Sequence, residues 1–539
     1  MRLHLFLILG CLGAAFAGPV FGAMPPKQQE KEDPNKPVSY FKQIRPIFQA
    51  NCQGCHQPAK ARGGYVMTDF ARLIKGGDDA QKDGKFAVVA GKPEQSFLLE
   101  QITPDHGQAE MPKKKAPLLE PELTLIRRWI AEGANDDTPE NAKQRFDADH
   151  PPTYAAPPVI TSIDYSPDGS LLAVAGFHEI VLWKGDGSSM VGRLVGLSER
   201  VQMVRFSPDG KFLAAAAGRP AQMGEIQIWD VAKQKLALSF PQGYDTLYGV
   251  SWSPDGKELA FGCPDNSVRA IEAATGKQVL LMSSHSDWPL DTVWSVKGDH
   301  IISVSRDMSV KLTEVATERF VDNITSITPG ALRGGMDTVA RNPTREEIMI
   351  GGADGIPQIY RIFRTTARKI GDNSNLMRRM PPMDGRIFSV GYSRDGKRVA
   401  AGSSLDDKGQ INIFEVSSDD GPPADLLKIM TKTVLTQTDA EKKQLDDYFS
   451  QSVKLLYSLP VNGGVYSIAW KPDGTVVAAA GESGSIRFIN VNDGKIAKEF
   501  VPVPLDVRNI AGPAPAVPAA QATEAALVPS AAKPASTSN

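Results

Sequence analysis

Residues 201–218 read VQMVRFSPDGKFLAAAAG. An alternating apolar–polar strand runs into a four-residue turn, and a strand of small apolar residues leaves it. The turn recurs. SPDG ends at Gly169, Gly210 and Gly256, and degenerate copies follow as SVKG at Gly298, NPTR at Arg345, SRDG at Gly396 and KPDG at Gly474. A repeat of about 40–45 residues with turn residues at a fixed place is the sequence pattern of propeller blades. Seven copies predict seven blades over 159–503. The wide gap before the last copy predicts an insertion at 421–451, where Thr438 and Glu441 are spaced as a helix capping box. Leu445, Tyr448 and Phe449 then share one helical face. Such an insertion is either a rim decoration or a docking element, and loops tolerate the former cheaply.

Each copy continues in the same way. A third strand ends in an aromatic, as in IQIWDV, INIFEV and IRFINV, and a fourth closes the unit, as in KLALSF and KIAKEF. The small second strand suits sheets that converge on a central axis and pack face to face. These blades resemble WD40 repeats. The Trp-Asp pair of that family occurs once, at Trp229-Asp230, and its Gly-His element is absent. The polar network that ties such blades together is therefore expected to be missing, leaving packing to hold them. The resemblance implies a surface for a protein partner.

At 539 residues the chain is too long for one core. A net charge of −2 gives no electrostatic reason to bind nucleic acid. Four cysteines, Cys11, Cys52, Cys55 and Cys263, make no disulfide framework. Cys263 reads as a small buried hydrophobe. Residues 1–23 carry Arg2, an apolar run and small residues around Ala15-Phe16-Ala17, the pattern of a secretory signal. The protein is expected to be exported, to a periplasm or the extracellular space, and membrane-bound only if that segment is retained. A polar leader (24–37), a Pro-rich linker (136–158) and an Ala/Pro-rich tail (504–539) separate the remaining units.

The unit at 38–135 contains QANCQGCHQPAK, residues 49–60. Zinc needs four ligands, and no second pair accompanies Cys52 and Cys55. A thioredoxin-like pair needs a βαβ setting that the flanks lack, and a disulfide leaves His56 without a role. Haem c uses all three residues. Each thiol forms a thioether with a vinyl group of one porphyrin, and the adjacent histidine becomes the proximal iron ligand. Before the motif, Phe41, Ile44, Ile47 and Phe48 form an apolar stripe that Pro46 should kink. After it, EPELTLIRRWIAEGA predicts a helix with Ile126, Trp129 and Ile130 on one face and Gly133 as its stop. For the distal ligand the residues leave Met67, His106 and Met111. Met111, just ahead of the last helix, suits a loop that folds over the other haem face.

The segments IRPIFQANCQGCH, ARGGYVMTDFARLIKGG, VVAGKPEQSFLLEQI and EMPKKKAPLLEPELTLIRRWIAEGA occur in order across 40–134. They resemble the planctomycete-type cytochrome c domain, often joined to WD-type propellers. The resemblance implies a small all-α domain with one covalent haem c on Cys52 and Cys55. It implies His56 as proximal ligand and a Met-Pro methionine, here Met111, as distal ligand. The expected protein is an exported electron carrier with a redox partner protein, and the propeller is its partner-binding or positioning scaffold. No catalytic residue of its own stands out. Two alternatives stay open. One is an oxidoreductase whose propeller holds a second cofactor, for which His178, His285 and His300 are the candidate ligands. The other is a pure interaction protein with a vestigial haem site. Lys113, Lys114 and Lys115 are expected beside the haem rim, where they would steer an acidic partner.

Overall fold

The computed structural model describes residues 36–57, 60–113, 116–139, 146–326, 332–367, 369–417 and 421–506. The expected signal segment, most of the expected leader and tail, and Lys114 and Lys115 lie outside the described residues. Among the described residues no helix is long and apolar enough to cross a membrane.

The N-terminal unit is helical: a π-turn at Tyr40–Ile44, then α1 (Arg45–Asn51), α2 (Phe70–Lys75), α3 (Asp78–Lys82), α4 (Phe97–Ile102) and α5 (Glu120–Ala131). Pro46 does not kink a continuous helix. It occupies the first turn of α1, where its missing N–H costs nothing, and the π-turn precedes it. The buried face of α5 is Leu123, Ile126, Trp129 and Ile130, and Gly133 ends it at φ 104°. Trp129 is the centre of the core. Tyr40, Phe70 and Phe48 lie around it with ring centroids at 5.4, 6.2 and 6.4 Å. The unit extends past the expected boundary, because Asp137 accepts the Phe41 N–H at 2.8 Å.

The rest is antiparallel sheet. Five sheets have four strands each, and one sheet has seven. The seven-stranded sheet is two blades joined by one continuous 17-residue strand, Met190–Phe206, which is the outer strand of the first and the inner strand of the second. Seven four-stranded units result, and the innermost strands touch in a closed ring. The last blade meets the first through the Ile163 N–H, which donates to Ser467 Oγ at 2.9 Å. The chain ends close the ring slightly outside 159–503: Tyr154 bridges Leu505, and the Asp506 N–H donates to Tyr154 O at 2.8 Å.

The turns explain the repeat. In the first, Ser166 Oγ and the Ser170 N–H both donate to Asp168 Oδ1, at 2.6 and 3.0 Å, and Gly169 takes φ 72°. The glycines also face a neighbour. A Cβ at Gly210 would lie 3.3 Å from Pro167, one at Gly256 3.5 Å from Pro208, and one at Gly298 3.0 Å from Pro254. Across the closure, Gly169 stands in the same relation to Pro472 at 3.3 Å. At these four turns a proline of the preceding turn therefore covers the glycine, whereas Gly396 faces Asn342 and Gly474 has nothing within 4 Å.

The polar ties expected to be missing are present. In the fourth blade, His285 Nδ1 lies 2.9 Å from Asp307 and Nε2 2.8 Å from Ser303 Oγ, although no glycine precedes this histidine. In the second, Ser198 Oγ and Gln227 Nε2 donate to Glu225 Oε2 at 2.6 and 2.8 Å, and Ser239 Oγ donates to its other oxygen. In the first, buried Glu179 takes both Arg193 Nε and Nη2 at 2.6 Å and the Tyr154 hydroxyl at 2.7 Å.

The insertion forms α6 (Ala424–Met430) and α7 (Asp439–Ser450), with both halves of the capping box made. Leu445, Tyr448 and Phe449 are buried against Tyr360, Leu376 and their neighbours in the propeller. The apolar face of α7 is thus taken up by its own scaffold.

Asp291, on an innermost strand and 1% exposed, accepts the Val339 N–H at 3.0 Å. Burial pushes its pKa up to about 6, against the opposing pull of Arg205. A carboxyl whose folded pKa lies above its unfolded value takes up a proton on folding between those values, so stability rises as pH falls through 6. Asp291→Asn keeps the carbonyl acceptor and removes the charge. Its urea midpoint should be higher than wild type at pH 7, and its gain on moving to pH 5 should be smaller. Parallel pH profiles for the two proteins would refute this.

Candidate functional site

The motif follows directly from the end of α1. The Cys55 and His56 N–H groups donate to Cys52 O at 3.0 and 3.1 Å, so the segment winds into one tight loop carrying both sulfurs. His56–Gln57 then pairs antiparallel with Lys60–Ala61. Cys52 and Cys55 are half-buried, and Cys263 is buried. Among the described residues no group of three or more His, Cys, Asp or Glu side chains could hold a metal ion.

His56 is oriented by the backbone. Its Nδ1 lies 3.1 Å from Arg62 O. A carbonyl can only accept, so Nδ1 carries the proton and the neutral ring keeps its lone pair on Nε2. Burial lowers the His56 pKa, which favours this neutral ring. The Tyr65 ring flanks it at 5.3 Å. Arg62 has no signal in the sequence as an orienting residue, since it acts through its carbonyl.

The three candidate distal ligands have different surroundings. Met67 is 1% exposed inside the helical core, and its N–H donates to His56 O at 2.8 Å. His106 stands out in solvent with φ 47°. Met111 is half-buried and packs on the same core cluster as Cys52, with its N–H donating to Gln101 O at 2.9 Å. Lys113, two residues on, is exposed. Two thiols on one loop, an imidazole oriented by the Arg62 carbonyl and a thioether on the apolar cluster shared with Cys52 form a donor set that fits haem c.

The motif also seats the helical unit on the propeller. A Cβ on Gly54 would lie 2.8 Å from Ser239 O, on the outer strand (Lys235–Pro241) of the second blade. Lys60 Nζ donates to Ala237 O of the same strand. Gly54→Val should push this seat apart at a cost of about 1–3 kcal/mol. Hydrogen exchange in residues 235–241 should quicken while exchange in the seventh blade stays unchanged. Unchanged protection at 235–241 would show that the seat tolerates the side chain.

The propeller histidines are differently placed. His285 has both nitrogens engaged in the tie described above. His300 Nδ1 lies 2.8 Å from Asp299, and its ring meets Phe363 edge-on. His178 packs between Phe146 and Phe177, and burial, with Arg219 nearby, lowers its pKa to about 4.

Comparison with known proteins divides the chain in the same way. Residues 52–115 match the family model described as Planctomycete cytochrome C. Residues 242–297 and 450–508 match the model described as Anaphase-promoting complex subunit 4 WD40 domain. The chain is similar to eukaryotic translation initiation factor 3 subunit I of Emericella nidulans, 28% identical over 36% of this chain and 59% of that one. It is similar to a component of chromatin assembly factor 1 from Gallus gallus, 24% identical over 39% of each chain. It is also similar to Coronin-7 of Mus musculus, 26% identical over 32% of this chain and 20% of that one. The matches span less than two thirds of these relatives' lengths. Together with the seven four-stranded units, they support WD40-type repeats in the propeller part of the chain.

Proposed function

We propose that this WD40-type scaffold carries a single covalent haem c on its helical unit, and that the protein is an exported electron carrier whose propeller docks a partner. The observation that carries the reading is the orientation of His56, whose Nδ1 faces Arg62 O at 3.1 Å on the loop that bears both thiols. When bound, the haem supplies a one-electron ferrous–ferric couple. Cys52 and Cys55 would hold it, His56 and Met111 would ligate its iron, and the apolar cluster under Cys52 and Met111 would keep water from one side. The helical unit is seated on the second blade, so a partner bound on the propeller meets a fixed rather than a tethered carrier. A second reading, an interaction protein that uses the propeller alone, is favoured by the relatives, which are WD40 proteins in translation initiation and chromatin assembly by name.

A haem stain after a denaturing gel separates the two. Protein exported from a host with cytochrome c maturation should stain, and Cys52→Ala with Cys55→Ala should not. Met111→Ala should keep the stain and lose the near-infrared methionine-to-ferric-iron band. An unstained, unmodified wild-type chain from that host would leave the interaction scaffold as the function. A band that survives in Met111→Ala would move the distal ligand elsewhere.

A further inference from the structure

One hydrogen bond does not fix the plane of an imidazole. His56 Nδ1 lies 3.1 Å from Arg62 O, and the ring can still pivot about that bond. A second contact, on the face of the ring, is needed to set its plane. Tyr65 supplies it. The two ring centroids lie 5.3 Å apart with 57° between the planes. The half-buried Tyr65 ring also packs on the apolar cluster that Cys52 and Met111 share, so it joins His56 to the core of the helical unit.

Tyr65 is itself held at both ends. Its N–H donates to Arg62 O at 3.3 Å, closing the short turn Arg62–Gly64. Its hydroxyl donates to Leu73 O of α2 at 2.9 Å. Burial pushes the phenol pKa up, so the hydroxyl stays protonated and keeps donating. The turn is anchored as well. Gly64 takes φ 63°, and a Cβ there would run into the Asp78 carboxylate at the start of α3. Two residues beyond Tyr65, the Met67 N–H donates to His56 O at 2.8 Å. The segment 62–67 thus meets His56 at a ring nitrogen, at the ring face and at the backbone. A side chain locked in this way transmits its own position to the group it touches.

We propose that Tyr65 is a positioning residue for the axial histidine: its ring, tied to α2 by the hydroxyl, sets the plane of the His56 imidazole. The inference rests on the haem reading above and adds the residue that orients the proximal ligand. Full-length ferric protein from a host with cytochrome c maturation would be measured by frozen-solution electron paramagnetic resonance, whose g values follow the plane of an axial ring. Tyr65→Leu keeps apolar bulk and removes both the ring face and the tie. It should still take the haem stain, with g values shifted and the signal broadened. Tyr65→Phe keeps the ring face and should lie close to wild type. A purely structural role would lower stability and leave the g values alone. Stained Tyr65→Leu protein with wild-type g values would therefore overturn this inference and leave the haem reading standing. An unstained wild type would overturn both. If Tyr65→Leu fails to fold or to mature, the wild type decides. Selective labelling of tyrosine and histidine in the reduced protein should give a nuclear Overhauser contact between the two rings, and its absence would overturn the proposal.

Discussion

Trp129→Ala should destabilise the helical unit by about 3–5 kcal/mol, enough to unfold it while the propeller stays intact. Trp129 is 1% exposed and is packed by Tyr40, Phe48 and Phe70. Its indole N–H donates to Asn135 O at 3.0 Å. Truncation leaves a large cavity and an orphaned carbonyl in a unit whose helices are mostly two turns or shorter, and such helices do not hold themselves without tertiary packing. Calorimetry should show the lower-temperature transition shifted or lost and the β-sheet transition unmoved. Haem staining of the same variant should fall, because residues 52–56 follow directly from α1, whose Phe48 is one wall of the tryptophan site. A single unshifted transition would mean that this core is not organised on Trp129.

Arg193→Met should cost the propeller about 3–5 kcal/mol, the penalty for leaving a buried carboxylate without its counter-ion. Glu179 is 1% exposed and is held by two Arg193 nitrogens at 2.6 Å. Arg193 also donates to Pro152 O at 2.7 Å, so the substitution loosens the chain where it enters the first blade. Glu179→Gln combined with Arg193→Met removes the charge that the single change strands. The double variant should recover most of the loss, measured as the urea midpoint. If the double variant is no more stable than Arg193→Met, the pair is not the source of the penalty.

What could be read from the sequence was local. In SPDG the serine and aspartate are two residues apart and bond within their own turn, so the composition of four residues reports the structure. The capping box of α7 and the buried face of α5 are local in the same sense. The tight loop that carries Cys52, Cys55 and His56 is local as well, since its spacing is contained in five residues. Non-local arrangements left no such mark. His285 meets Asp307 and Ser303 across 22 and 18 residues, so the absence of a preceding glycine wrongly predicted that the tie was missing. The strand Met190–Phe206 has no break to see, since it passes from one blade to the next without a turn. The seat of Gly54 on Ser239 joins two units that fold separately in the sequence, and no pattern within either one reports it.

The continuous strand Met190–Phe206 has a mechanical consequence. The first two blades share a covalent backbone through their sheet, whereas the first and last meet only at a seam. That seam is held by the Tyr154–Leu505 bridge, the Ile160 N–H on Gly481 O at 3.0 Å and the Ile163 N–H on Ser467 Oγ. Tension applied between the helical unit and the C-terminal end would enter at Tyr154 and leave at Leu505, on opposite sides of the seam. The ring would part there as a clasp does, peeling the seventh blade from the first while the first two stay together.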